Sequence, residues 1–212
     1  SGDQPRSPLL HGTTNRSLGR ASGSATRREL LAGAGLSFEV MPPAVDEEEI
    51  KASLRAEQAT AAQAAETLAE LKALAVSRKR SGALVIGADQ LLECDGEWFD
   101  KPVNRAEARA QLRRLSGRSH RLFTSVCLLQ NGQRLWHHNA VVELAMRPLS
   151  EAFLDSYLDA AGDRILSSVG GYQLEGLGAQ LFYRVNGDFF TVLGLPLLPL
   201  LEILRAQGVL PS

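Results

Sequence analysis

Ala83-Leu84-Val85-Ile86-Gly87-Ala88 is an unbroken run of small and β-branched residues, and the residue that follows it is Asp89. A strand with no polar alternation has no face to give to water, so it must be covered on both sides. That demand points to helices packed on a central sheet. The run stops at Asp89, and a lone carboxylate closing an apolar strand is costly unless it meets water, a partner or a metal. Asp89 is therefore expected in a cleft.

Helical and strand signals surround this run. Ser24, followed by Ala25-Thr26-Arg27-Arg28-Glu29-Leu30-Leu31, reads as the N-cap of a short helix that Gly35 stops. An acidic run from Asp46 to Glu49 precedes a long Ala-rich stretch in which Ala64, Leu68, Leu71 and Ala75 keep helical spacing, with Lys72 beside that stripe. Asp95-Gly96 and Asn131-Gly132 carry two-residue hairpin chemistry, the second joining strands predicted over 120–129 and 133–142. Asn104 with Glu107 caps one helix and Ser150 another. A glycine-containing loop over 170–178, a strand over 179–185 and an apolar helix over 197–207 complete the pattern.

The 212 residues suit one α/β domain with two lobes, and 44% hydrophobic against 22% charged residues excludes a disordered chain. Residues 1–17 are expected to be a tail outside the fold, disordered or partly a tag, with Ser1-Gly2 read as a cloning remnant; 18–212 form the domain. A net charge of -1 offers no basic field for nucleic acid, and no apolar run is long enough to span a bilayer. Cys94 and Cys127 are too few for a disulfide framework and read as packing thiols, which fits a reducing cytoplasm.

The P-loop, dinucleotide, zincin and hydrolase-elbow motifs are all absent. What remains is a scattered set of cations and carboxylates at element ends: Ser24 with Arg27, Asp46 with Glu47, Lys72, Asp89 with Gln90, Lys101 and Glu175. Phosphoryl and nucleotidyl transfer need such a set, with oxygen ligands for a divalent metal, cations for phosphates and an oriented water. Taken singly, Arg27 and Arg28 read as solvated helix charges, Asp46 to Glu49 as a solvated turn and Lys72 as a snorkelling side chain. Only for Asp89 do function and structure weigh about equally.

The ordered series changes that balance. Ala21-Ser22-Gly23-Ser24-Ala25-Thr26-Arg27-Arg28-Glu29-Leu30-Leu31, Val45-Asp46-Glu47, Leu71-Lys72-Ala73, Ile86-Gly87-Ala88-Asp89-Gln90 and Lys101-Pro102 come first. Leu115-Ser116-Gly117-Arg118, Leu174-Glu175-Gly176 and Val192-Leu193-Gly194-Leu195-Pro196 follow. Together they resemble the Maf family of nucleotide pyrophosphatases, once associated with septum formation, over roughly residues 18 to 207. Ala25 stands where that family usually has Pro, and Ser17-Leu18-Gly19-Arg20 replaces its apolar first strand.

The resemblance implies a Maf/ITPase-like fold, a long twisted mixed sheet flanked by helices with a nucleotide cleft between two lobes. It also implies hydrolysis of a nucleoside triphosphate to the monophosphate and pyrophosphate, which keeps modified nucleotides out of nucleic acids. Asp89 would activate water and, with Glu47 and Asp46 beside it, hold Mg²⁺ or Mn²⁺; Ser24, Arg27, Lys72 and Lys101 would act on the triphosphate. Thr26, Gln90 and Glu175 stand at the base-reading positions and are closer to the 7-methyl-GTP branch than to the dTTP and UTP branch. A homodimer is expected by the same analogy. The rival readings are a dTTP- or UTP-type enzyme, a phosphomonoesterase, and a non-catalytic nucleotide-binding regulator of division.

Overall fold

The computed structural model describes residues 9–11 and 23–212. Its centre is a seven-stranded mixed sheet, as expected for the fold class. In chain order the elements are β1 (Leu9–His11), α1 (Gly23–Gly33), β2 (Glu39–Met41), α2 (Glu47–Ala56), α3 (Ala61–Ser77), β3 (Leu84–Cys94) and β4 (Glu97–Phe99). Then come α4 (Arg105–Leu115), β5 (Ser119–Gln130), β6 (Gln133–Met146), α5 (Glu151–Ala161), β7 (Phe182–Asn186), α6 (Phe189–Val192) and α7 (Leu197–Ala206). Short 3-10 turns fill most of 162–181. The strand order is β2-β1-β3-β5-β6-β7, with β4 paired to the far end of β3.

Local chemistry explains the punctuation. Asp95 and Gly96 have φ of 51° and 81°, and Asn131 and Gly132 of 50° and 75°, the left-handed pair that a tight hairpin requires. Asn104 and Ser150 each accept a bond from the backbone N–H three residues on, at 2.8 and 3.1 Å. Gly35, at φ 89°, ends the first helix as expected.

Several sequence expectations are corrected. The segment read as a tail supplies β1, which pairs in parallel with both β2 and β3, so two neighbours satisfy the backbone of a strand only three residues long. Ser17 to Arg20, read as the position of the first strand, lie outside the described residues. Ser24 lies in the first turn of α1 rather than before it, and its side chain is also outside the description. The acidic run is the first turn of an unforeseen helix, α2, with Asp46 as N-cap accepting from Glu49 N–H at 3.1 Å. The strand foreseen over 179–185 begins only at Phe182.

Asp89 does not end its strand. β3 runs on to Cys94 because its outer edge changes partner, pairing with β1 through Ile86 and with β4 from Leu92. Asp89 sits in the gap between them, paired to β5 on one side only. An interrupted edge is where an open sheet offers a crevice.

One core fills the space around α1, the start of β3, β5 and α7, and includes Leu31, Ile86, Leu128 and Leu200. A second gathers α4, α5 and the far ends of the strands around Leu92, Leu112, Leu144 and Leu158. The cleft lies between these two lobes. On the opposite face α3 packs Ala69, Ala73 and Val76 against Val85, Cys127 and Leu129. Both cysteines are buried free thiols, and burial pushes Cys127 up to about 12.

Candidate active site

Lys72 stands in the buried stripe of α3, not beside it: Ala65, Leu68, Ala69, Lys72, Ala73 and Val76 are all buried. Its side chain is 2% exposed, so the snorkelling reading fails. A buried ammonium requires partners. Lys72 Nζ donates to Asp89 Oδ1 at 2.7 Å and also contacts Glu47, so one cation bridges carboxylates from β3 and the start of α2. Asp89 Oδ2 is buried and has no hydrogen-bond partner among the described residues. Burial alone would raise the Glu47 carboxyl, but the charge and hydrogen bond of Lys72, with Lys51 and Lys101, hold it below the usual carboxylate range.

Arg27 is also buried, on α1. Its Nε donates to Gly194 O at 2.7 Å, leaving the rest of the guanidinium to the cleft. Gly194 has φ 111°, and a Cβ there would stand 3.3 Å from Arg27 Nε, so this close approach requires glycine. Lys101 opens onto the solvent of the cleft. Partial desolvation by the walls, then repulsion from Arg27 and Lys72, bring its pKa down from 10.5 to about 8.

These side chains line one cleft of about 490 Å³. Arg27, Glu47, Lys72, Asp89 and Lys101 occupy one end, and Thr26, Gln90 and Glu175 line it as well. Asp46 does not, being spent on capping α2. Gln90 is held firmly: its Nε2 donates to Thr124 Oγ1 and Thr191 O, each at 2.9 Å, and approaches Val192 O at 3.3 Å. Its amide hydrogens are thus committed, and only its oxygen remains for a ligand. Glu175 is exposed.

The cleft also contains residues that the sequence reading passed over. Lys51, one helical turn after Glu47, is among them, and Asp46 with Glu49 three residues later was the capping signal that could have revealed its helix. Tyr172, Leu166 and Val169 add apolar wall to the cleft. Tyr172 Oη is 2.7 Å from His120 Nε2, and burial takes this histidine down to about 4, a neutral core residue.

The two carboxylates also bear on metal binding. Among the described residues Asp89 Oδ2 is an unpartnered hard oxygen donor, on a carboxylate that shares Lys72 with Glu47. Among the described residues no three acidic, histidine or cysteine side chains converge as a metal cage. That donor set fits Mg²⁺ or Mn²⁺, which are commonly held by one or two carboxylates and completed by substrate phosphates and water.

The family model described as Maf-like protein matches residues 18–207. A nucleoside triphosphate pyrophosphatase of Paramagnetospirillum magneticum is 56% identical over 190 residues, 90% of this chain and 98% of that one. The protein of that name in Hyphomonas neptunium is 50% identical over 192 residues, 91% and 96% of the two chains. A 7-methyl-GTP pyrophosphatase of Rhizobium meliloti is 46% identical over 192 residues, again 91% and 96%. Among the described residues no helix is long and apolar enough to cross a membrane.

Proposed function

Because this chain belongs to the Maf family, we propose that it is a nucleoside triphosphate pyrophosphatase, a hydrolase that attacks the α-phosphorus and releases pyrophosphate. The observation that carries the reading is the floor of the cleft. One buried cation holds two carboxylates, and the second oxygen of one of them, Asp89 Oδ2, is left without a hydrogen-bond partner among the described residues.

In this reading Asp89 orients a water and accepts its proton as the water oxygen bonds to the α-phosphorus. The bond from that phosphorus to the bridging oxygen breaks, and pyrophosphate leaves with the electron pair. Arg27 and Lys101, which line the same cleft, would meet the charge that develops on the phosphates, while Lys72 keeps both carboxylates in place. Ser24, at the start of α1, is kept as a phosphate-binding residue on the family pattern alone. Glu47 and Asp89 would hold a divalent cation, Mg²⁺ or Mn²⁺, which neutralises phosphate charge.

The base would lie toward Tyr172 and Glu175. A carboxylate offers acceptors only, and guanine presents two adjacent donors, N1–H and N2–H₂, whereas uracil and thymine present a donor beside an acceptor. Gln90, with only its oxygen free, adds another acceptor, and Thr26 lines the same cleft. A 7-methylated guanine also brings positive charge. The preferred substrate is therefore 7-methyl-GTP or another guanine-type triphosphate. The enzyme is proposed to act in the cytoplasm as a homodimer, a setting that suits two buried unpaired thiols.

A panel of ordinary and 7-methylated nucleoside triphosphates, with separate detection of pyrophosphate and orthophosphate, tests this. Pyrophosphate release with guanine-type preference is expected, and Glu175→Gln should shrink the preference over UTP by on the order of tenfold. Release of orthophosphate, or nucleotide binding without turnover, would overturn the catalytic reading. A UTP or dTTP preference would move the protein to the other branch.

A further inference from the structure

Lys101 carries its ammonium into the cleft, yet among the described residues it has neither a hydrogen-bond nor an ion-pair partner. Nothing at the end of its side chain fixes it, so its position depends on its backbone. That backbone follows Asp100 and precedes Pro102, a residue that restricts its predecessor.

Asp100 is gripped from two helices. From α2, Lys51 Nζ donates to Asp100 Oδ1 at 3.0 Å, with the lysine side chain only 13% exposed. One turn on, an Arg55 guanidinium nitrogen lies 3.8 Å from Asp100 Oδ2, and the group sits over the Trp98 ring at 5.2 Å. From α4, the buried Gln111 donates its Nε2 to the Asp100 carbonyl at 2.8 Å. Glu47, Lys51 and Arg55 recur every four residues, so one face of α2 presents both the Glu47 carboxylate and the latch to Asp100.

We propose that Lys51, through its ion pair with Asp100, is a positioning residue that sets Lys101 opposite the Glu47 and Asp89 carboxylates. This rests on the assignment of Lys101 to the phosphates. A misplacement of about 1 Å in such a site can cost on the order of a hundredfold in rate, so a latch that acts only by holding Lys101 in place has a measurable effect. Desolvation opposes the charge on Lys51, but Asp100 more than offsets it and raises the lysine pKa.

The test is a double-mutant cycle on the full chain, read as pyrophosphate release. Lys51→Met should lower kcat by about tenfold or more, Lys51→Arg should restore most of it, and Asp100→Asn should reproduce the loss while preserving shape. In a Lys101→Met background, Lys51→Met and Asp100→Asn should add little, because the group they position is gone. Full additivity, or Lys51→Met within about twofold of wild type, overturns the positioning role. Lys101→Met at wild-type rates would overturn both the phosphate assignment and the latch. A clear loss in Lys101→Met combined with additive effects of Lys51→Met defeats the latch alone.

Discussion

The floor of the cleft and the outer face of α4 and α5 are both built from ion pairs, and they behave in opposite ways. On the outer face Arg109 and Arg113 both bond Glu151, at 2.6 and 2.7 Å, and Arg109 also contacts Asp155. Hydrogen bonds from Arg113 and then Arg109 hold Glu151 down to about 2. Every charge there has partners and abundant water, so the network is satisfied and adds little to stability. In the floor, Arg27, Lys72 and Asp89 are 7%, 2% and 6% exposed, and an oxygen of Asp89 has no hydrogen-bond partner among the described residues. Buried charge left incomplete is tolerated where a ligand completes it. The number of ion pairs therefore says nothing about which cluster is functional; desolvation and missing partners do.

Chelation gives the widest separation between the two clusters. Excess chelator should abolish hydrolysis, and Mg²⁺ or Mn²⁺ should restore it, because the triphosphate brings about four negative charges to few cations; full turnover in chelator would contradict the Glu47 and Asp89 assignment. Next comes Asp89→Asn, which keeps shape and removes charge. Steady-state kinetics should show a fall of at least roughly a hundredfold, and activity within a few-fold of wild type would place Asp89 among structural residues.

A smaller effect concerns Lys101. Its ammonium is charged below about pH 8 and loses its proton above, so kcat should fall through that pH, and Lys101→Arg should move the falling limb upward. Between about 8 and the ordinary lysine value of 10.5, the unfolded chain binds a proton that the folded chain does not. The Lys101 contribution to stability therefore rises with pH there while activity falls, by a small amount because the group opens onto solvent. Parallel melting and rate profiles check both signs. The smallest effect belongs to the outer network: Glu151→Gln should leave turnover unchanged and the melting temperature within about 2 °C. A loss of turnover there would erase the contrast.

The sequence by itself determined what depends on a few neighbouring residues. Asp95-Gly96 and Asn131-Gly132 adopt their turns because their own φ preferences favour them, and Asn104 and Ser150 cap helices three residues away. The apolar run before Asp89 announced a doubly covered strand, and the ordered blocks marked Arg27, Glu47, Lys72, Lys101 and Asp89 as one set, which the cleft brings together. Tertiary structure decided what depends on partners distant in the chain. Lys72 is buried because Asp89, 17 residues on, and Glu47 from another helix meet it. Gln90 is turned into an acceptor by carbonyls 101 and 102 residues away. Residues 9–11 become a strand because β2 and β3 flank them. Turn and cap energies are local and can be read from adjacent residues, whereas the cost of burying a charge is known only once the fold supplies, or withholds, its partner.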